Sequence, residues 1–285
     1  MPIESVSDTA LWVAVCRAME TERPDAIFRD PFARRLAGER GEQIVRSIPH
    51  ARSTAWAMIV RTAVFDEIIL DAVRREKVDL VLNLAAGLDA RPWRLDLPPE
   101  LRWVDVDLPG ILEYKSSAMR GERTACQYEA IPMDLTDVEA RRALFQRLGA
   151  EFTRAIVVTE GLLVYLTPEQ VGELARDLSA PRSFRWWLID LTSPRLLKMM
   201  QRWWGKRLQS GNAAFRFGPP ESTAFFRPFG WREGSYRSSL EDARRLRRDM
   251  RGMWFWRLIA RLYTKKRQEE FRRMAGFVLL ERDTG

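Results

Sequence analysis

Val78-Asp-Leu-Val-Leu-Asn-Leu-Ala-Ala-Gly-Leu-Asp-Ala-Arg91, read together with Arg102-Trp-Val-Asp-Val-Asp107, decides the fold. Val78 to Leu84 is a short, mostly apolar run of the kind that forms a strand buried on both faces. It breaks into Ala85-Ala86-Gly87, small residues that let the backbone turn and a ligand or second chain approach it closely. A second apolar run ends on Asp107, about twenty residues beyond Gly87, the interval at which doubly wound sheets carry a ribose-binding acid. A small-residue turn between buried elements, with a solvated acid downstream, is the plainer alternative.

The turn bears on which adenosine cofactor such a sheet would hold. A dinucleotide brings a pyrophosphate, usually met by three spaced glycines opening a helix N-terminus. Here Gly87 stands alone and Pro92 follows soon after. S-adenosylmethionine (SAM) has no phosphate and needs a single close backbone approach, so the pattern favours SAM over a dinucleotide.

At 285 residues and 46% hydrophobic content the chain can bury a full core and is not of disordered composition. Two cysteines, Cys16 and Cys126, cannot form a disulfide framework. With the single His50 they make a poor metal set, so no metal is expected and a reducing, cytoplasmic setting is the default. Met1-Pro-Ile-Glu-Ser-Val-Ser-Asp8 lacks a basic leader, and no apolar run is long enough to span a bilayer. The net charge of +8 attracts anions in general, but its arginines are dispersed among acids and tryptophans. That dispersal argues against a nucleic-acid partner.

Residues 1–76 read as a helical cover. Thr9 to Thr21 has helical spacing with Ser7 or Asp8 as cap, Asp30-Pro31-Phe32 opens another helix, and Ser53 to Arg75 carries one apolar face. Arg61 lies in this last helix, and pattern alone makes it a surface residue. Strands are expected at Cys126–Ile131, Ala155–Thr159, Arg185–Leu191, Trp231–Tyr236 and Gly276–Glu281. Strand, turn and helix alternate across 77–193, which implies parallel pairing. Asp134 and Leu135 follow the third strand; Asp134 could face an adenine or cap a helix, as could Asp137. Glu160 ends the fourth strand, and acids at such ends line the ligand crevice of open α/β sheets. Thr167-Pro-Glu-Gln170 is a helix start with a capping box. Residues 194–230 crowd Met199, Met200, Trp203, Trp204, Phe215, Phe217, Phe225 and Phe226 among breakers, as a lid over the site or as a patch packed on the sheet. Residues 231–285 hold the last strands and a helical stretch over Leu240–Arg273. Its 253–267 segment is basic and aromatic enough to touch an anionic membrane, though packing on the sheet is the commoner use of such a helix.

Asn83-Leu-Ala-Ala-Gly-Leu-Asp-Ala-Arg-Pro-Trp-Arg-Leu95, Val104-Asp-Val-Asp-Leu-Pro-Gly-Ile-Leu-Glu-Tyr-Lys115 and Thr159-Glu-Gly-Leu-Leu-Val-Tyr-Leu-Thr-Pro-Glu-Gln170 together resemble the leucine carboxyl methyltransferase-like group of class I SAM-dependent methyltransferases. Thr9-Ala-Leu-Trp-Val-Ala14 and Arg29-Asp-Pro-Phe-Ala33 are similar to its bacterial O-methyltransferase branch. The resemblance runs through most of one domain, 1–285, and is weakest over 194–270. It implies a Rossmann-like α/β fold with a seven-stranded, mostly parallel sheet in the order 3-2-1-4-5-7-6. A helical cover precedes that sheet and the aromatic insertion follows strand 5. The site roles it implies are Arg61 for the methionine carboxylate of SAM, Gly87 for the motif glycine and Asp107 for the ribose. Asp134 and Leu135 would meet adenine, and Glu160 the methionine amino group. Tyr165 lies on the same segment as a positioning residue. The family often has glycine where this chain has Ala85.

The implied activity is methyl transfer from SAM, leaving S-adenosylhomocysteine, to a carboxyl or hydroxyl group of a small-molecule or polyketide-like metabolite. A carboxylate is ionised at neutral pH and needs no base, and His50 lies outside the matched motifs, which favours a carboxyl acceptor drawn in by Arg91 or Arg94. A protein C-terminal carboxylate is the alternative acceptor. A basic nucleic-acid-binding protein and a SAM-binding protein without turnover are the readings from other classes.

Overall fold

Successive side chains of a strand point to opposite faces, and the core of this protein divides along that alternation. The computed structural model describes residues 6–47, 51–208, 214–249 and 263–283. Within them seven strands form one sheet: β1 (Leu80–Leu84), β2 (Arg102–Asp107), β3 (Gln127–Pro132), β4 (Ala155–Thr159), β5 (Phe184–Thr192), β6 (Trp231–Ser238) and β7 (Ala275–Arg282). Their order is β3-β2-β1-β4-β5-β7-β6, with β7 antiparallel to both neighbours and the other pairs parallel. The expected topology is therefore observed. The helices are α1 (Val6–Thr21), α2 (Ala33–Ser47), α3 (Ala51–Arg75), α4 (Arg91–Arg94), α5 (Pro109–Ala118), α6 (Val138–Glu151), α7 (Pro168–Ser179), α8 (Pro194–Leu208), α9 (Ser239–Arg245) and α10 (Lys265–Arg272).

Leu80, Leu82 and Leu84 point into one core with Val104, Val157 and Trp187, which α6 and α7 close with Phe145, Leu148, Val171 and Leu174. Val81 points the other way, into a core with Trp103, Ile156, Val158 and Leu188 that α3 closes with Val60, Val64, Phe65 and Ile68. Local signals hold these helices in register. Asp137 caps α6 by accepting from the Ala140 N–H at 3.0 Å, and Thr167 and Gln170 form the expected capping box of α7. The N-terminal cover packs on itself through Leu11, Ala14, Val15, Leu36, Ala37 and Ile44, and meets the segment after β1 at Leu88 and Ala90. Among the described residues no helix is long and apolar enough to cross a membrane.

Two readings of the aromatic stretch were open; packing on the sheet accounts for Phe217, Phe225 and Phe226, whereas Trp203 is 68% exposed. Phe217 and Phe226 are buried in the α6/α7-side core, where Phe226 meets Trp187 edge to face at 5.3 Å. Phe225 joins them from a 3-10 turn over Ser222–Phe229, which ends at left-handed Gly230. Phe215 differs: its ring stacks on Tyr165 at 5.5 Å. The expected helix over Leu240–Arg273 divides into α9 and α10; most of the 253–267 segment, like His50, lies outside the described residues.

Candidate cofactor and active site

Along the sheet face covered by α3, each of four parallel strands carries an apolar row that turns polar at its carboxyl end. Val81 gives way to Asn83, Trp103 to Asp105 and Asp107, Ile156 and Val158 to Glu160, and Trp186 and Leu188 to Asp190. Because the period is two, these polar groups emerge on one face and at one end. The ends of β2 and β4 flank β1, so Asp107 and Glu160 close strands roughly 10 Å apart at the usual interstrand spacing. This is the switch point of the topology, where open α/β sheets bind ligands.

At one side of the crevice, Asp107 accepts the Gly87 N–H at 2.6 Å and the Leu108 N–H at 2.7 Å, one on each oxygen. Each oxygen keeps a further lone pair for a donor from outside the chain. Burial pushes the Asp107 carboxyl above its ordinary value, with those two N–H groups pulling the other way. Gly87 is left-handed (φ +51°), and a Cβ there would stand 3.3 Å from the Ala10 methyl of α1. The cover thus packs against the turn at Gly87. The loop after β3 lies beside this end, since the Met133 N–H donates to the Asp107 carbonyl at 2.8 Å. Asp134 is exposed and accepts from the Thr136 N–H and hydroxyl, while Leu135 lines a cavity of ≈ 80 Å³ with Leu162 and Leu166.

Ala85 also adopts the left-handed conformation, with φ +54°. For an L-residue with a Cβ this costs about 1–2 kcal/mol. Ala85→Gly relieves that strain but adds unfolded-chain entropy worth about 0.4–1 kcal/mol. The expected net result is a stabilisation of about 0.5–1 kcal/mol, read as a rise in the urea midpoint at constant m-value. An unchanged or lower midpoint would show that the turn is not strained at Ala85.

At the other side, Arg61 of α3 is buried and its guanidinium is held on two edges. Nε donates to Glu160 at 3.0 Å and Nη1 to Asp190 at 3.1 Å. Burial opposes this charge, but the two carboxylates outweigh it and hold Arg61 firmly protonated. Burial likewise opposes ionisation of Glu160, and Arg91 and Arg61 reverse the balance so that it sits below the usual glutamate value. Gly161, left-handed at φ +71°, lies against the guanidinium: a Cβ there would be 3.0 Å from Nη1. Tyr165 follows on the same loop, and burial pushes its phenol up, so it is neutral near pH 7 and is not a ready base.

Beneath these groups runs a buried ion-pair network. Arg91 donates to Asp66 at 2.6 Å, Asp89 at 2.6 Å and Glu160 at 2.8 Å. Arg94 pairs with Asp66 at 2.7 Å and approaches Asp30, which Arg17 of the cover also holds. The expectation that Arg91 or Arg94 meets an incoming acid is corrected by this geometry. Their side chains are 2% and 3% exposed and already surrounded by carboxylates, so they organise the site from below. Sequence reasoning also passed over Asp66, Asp89 and Asp190 as partners. The alternation of apolar and acidic residues leading to Asp190 was the available signal.

Strand order and crevice together define a class I SAM-dependent methyltransferase fold. Two solved structures share it: a "putative methyltransferase" from Thermobifida fusca (TM-score 0.59, 13% identity, 100% of this chain and 96% of that one) and a duf574 family protein from Streptomyces avermitilis (TM-score 0.56, 12% identity, 95% and 96%). At such identities these likenesses establish the fold alone. The leucine carboxyl methyltransferase family profile matches residues 10–179, and a Mycobacterium avium protein named "Putative S-adenosyl-L-methionine-dependent methyltransferase" is 31% identical over 268 residues, covering 85% of this chain and 84% of its own. The chain belongs to the leucine carboxyl methyltransferase family. A Streptomyces coelicolor protein of the same description is 35% identical over 180 residues, covering 58% of this chain and 61% of that one. Matches to it and to three further relatives span 61% to 64% of those relatives' lengths.

Proposed function

We propose that this protein is a SAM-dependent O-methyltransferase acting on a carboxyl group, or a hydroxyl, of a small-molecule or polyketide-like metabolite. The observation that carries the cofactor half is the fixed guanidinium of Arg61. Its Nε and Nη1 are taken by Glu160 and Asp190, while Nη2 donates to no described residue. An N–H pair presented this way suits a carboxylate oxygen. At the far side, the remaining lone pairs of Asp107 suit vicinal ribose hydroxyls, and Gly87 leaves room for a close approach. Leu135, with Leu162, offers an apolar surface for a base.

Charge supports the same ligand class. Four guanidinium groups (Arg17, Arg61, Arg91 and Arg94) meet five carboxylates (Asp30, Asp66, Asp89, Glu160 and Asp190) in the network. The excess acid favours a ligand of net positive charge, as a sulfonium with a zwitterionic tail is. When bound, the sulfonium supplies an activated methyl group for in-line displacement by an acceptor oxygen. The chain's task is then alignment and exclusion of water, and alignment alone can be worth roughly 7–11 kcal/mol of barrier. Asp107 and Arg61 would fix the two ends, and the stacked Tyr165–Phe215 pair would shape the acceptor side. Tyr165 would position rather than deprotonate, which supports an acceptor that is already ionised.

Calorimetric titration with SAM and with NAD tests the cofactor half. SAM is expected to bind in the micromolar range, about −7 to −8 kcal/mol, and NAD not to bind. NAD binding without SAM binding would end the proposal. With methyl-labelled SAM and a panel of aryl and alkyl carboxylic acids, the labelled product should release methanol in mild alkali. An alkali-stable product would move the acceptor to a hydroxyl. A protein carboxyl terminus is the other acceptor, testable with C-terminal peptides in the same assay.

A further inference from the structure

The α3-side row of β5 reads Trp186, Leu188, Asp190: two residues pack beneath α3, and the third arrives beside Arg61. Asp190 then does two things at once. Its Oδ1 accepts the Gly161 N–H at 2.7 Å, and its Oδ2 accepts from Arg61 Nη1 at 3.1 Å. The first contact pins the left-handed turn that follows Glu160; the second sets the rotation of the guanidinium above that turn. Gly161 must lack a side chain for Arg61 to lie there, since a Cβ would stand 3.0 Å from Nη1 and 3.4 Å from Nη2. Glu160 holds the Nε edge. With one edge held, the guanidinium could still tilt about its Cγ–Cδ and Cδ–Nε bonds. With both held, Nη2 is presented in one direction.

We infer that Asp190 is a positioning residue for the amino-acid end of the cofactor: it aims Arg61 at the ligand's carboxylate and fixes the Glu160-Gly161 turn beside its ammonium. This rests on the SAM-binding reading above. Asp190 has no role in gripping the adenosine end, which Asp107, Gly87 and the loop after β3 would serve from the ends of β2, β1 and β3. The two ends of the ligand are therefore separable by experiment.

The probes are SAM and 5′-methylthioadenosine, which keeps the nucleoside and the S-methyl group but lacks the amino-acid tail and, with it, the sulfonium charge. Each is titrated calorimetrically into the wild type, Asp190→Ala and Asp190→Asn, with thermal melts of all three. Asp190→Ala should weaken SAM by roughly tenfold to a hundredfold, the range for losing a hydrogen bond to a charged group, and leave 5′-methylthioadenosine within about twofold of wild type. Asp190→Asn keeps an oxygen for the Gly161 N–H but loses the charge facing Arg61. It should fall between the two and melt close to wild type, which covers the case in which the alanine variant folds poorly. Equal losses for both probes in the asparagine variant would mean that Asp190 merely supports the fold, and unchanged SAM affinity in it would mean that Arg61 needs no aiming; either overturns the inference. A wild type that binds 5′-methylthioadenosine and SAM equally overturns it too, whereas a wild type that binds neither removes the SAM-binding reading itself.

Discussion

Arg91→Met is expected to destabilise the protein by about 3–5 kcal/mol, the range for removing one partner from a buried ion pair. The magnitude follows from what the substitution leaves behind. Methionine fills much of the volume beside Phe65, whose ring lies 5.8 Å from the guanidinium carbon. It donates to none of the three carboxylates that Arg91 now serves. Asp66 keeps Arg94, and Asp89 keeps the Asn83 amide and the backbone N–H of residue 91. Glu160 keeps Arg61 alone of its two cations. Against a usual total stability of about 5–15 kcal/mol, such a loss is large. Arg91→Lys should restore only part of it, because a single ammonium cannot reproduce the planar fork that reaches three acceptors. Arg74→Met, which breaks an exposed pair with Asp96, should change stability by about 0.5 kcal/mol or less. Urea unfolding of the three variants gives the comparison. Equal midpoints for Arg91→Met and Arg74→Met would mean that the network contributes nothing to the fold.

That network marks the boundary of what the sequence discloses. The sheet was legible because its central strands are buried on both faces and so read as near-continuous apolar runs, Leu80–Leu84 and Ala155–Thr159 among them. The nucleoside side of the crevice was legible for a related reason. Gly87 and Asp107 belong to consecutive strand ends, so their separation in sequence maps directly onto the fold. The amino-acid side is assembled differently. Arg61 comes from α3, Glu160 from β4 and Asp190 from β5, and their meeting depends on which helix crosses which strands. No local spacing encodes that, and pattern alone left Arg61 on the surface.

Charge also says nothing of depth. Arg91 and Arg94 sit in a short helix among acids, a pattern that fits a solvent-facing anion trap as well as a saturated interior cluster. The outcome was decided by Asp66 on α3 and Asp30 in the cover, both brought in by tertiary packing. The aromatic stretch was ambiguous in the same way. Its composition does not decide which rings are buried: Trp203 stays exposed, docking of the 3-10 turn against Trp187 carries Phe226 into the core beside Phe217, and Phe215 lies against Tyr165. Such a division makes Phe215 and Tyr165 the first residues to vary when acceptor preference is mapped.

Asp107→Ala is expected to weaken SAM binding by about 3 kcal/mol, roughly a hundredfold, through loss of two hydrogen bonds to a charged acceptor. The pH dependence of the wild type provides the sharper test. Burial raises the Asp107 pKa above its ordinary 3.8, against the pull of the Gly87 and Leu108 N–H groups. The sign follows from linkage. A carboxyl whose folded value is raised lends stability that is full below its unfolded value and is lost as pH rises through the folded one. In the free protein at neutral pH, the ionised carboxylate is therefore held at a cost. Hydroxyl donors from a bound ribose favour the ionised form and oppose protonation. SAM affinity should accordingly rise with pH through the acid window above 3.8 and then level off, with proton release on binding inside that window. Burial raises the Glu160 carboxyl and Arg91 and Arg61 reverse that, holding it below its ordinary value; Asp107→Ala keeps Glu160 and so serves as the control for its titration. In Asp107→Ala this slope should vanish while the weaker residual affinity persists. Parallel pH profiles for the two proteins would remove Asp107 from the ligand's reach and leave its carboxylate as a clasp for the turn at Gly87.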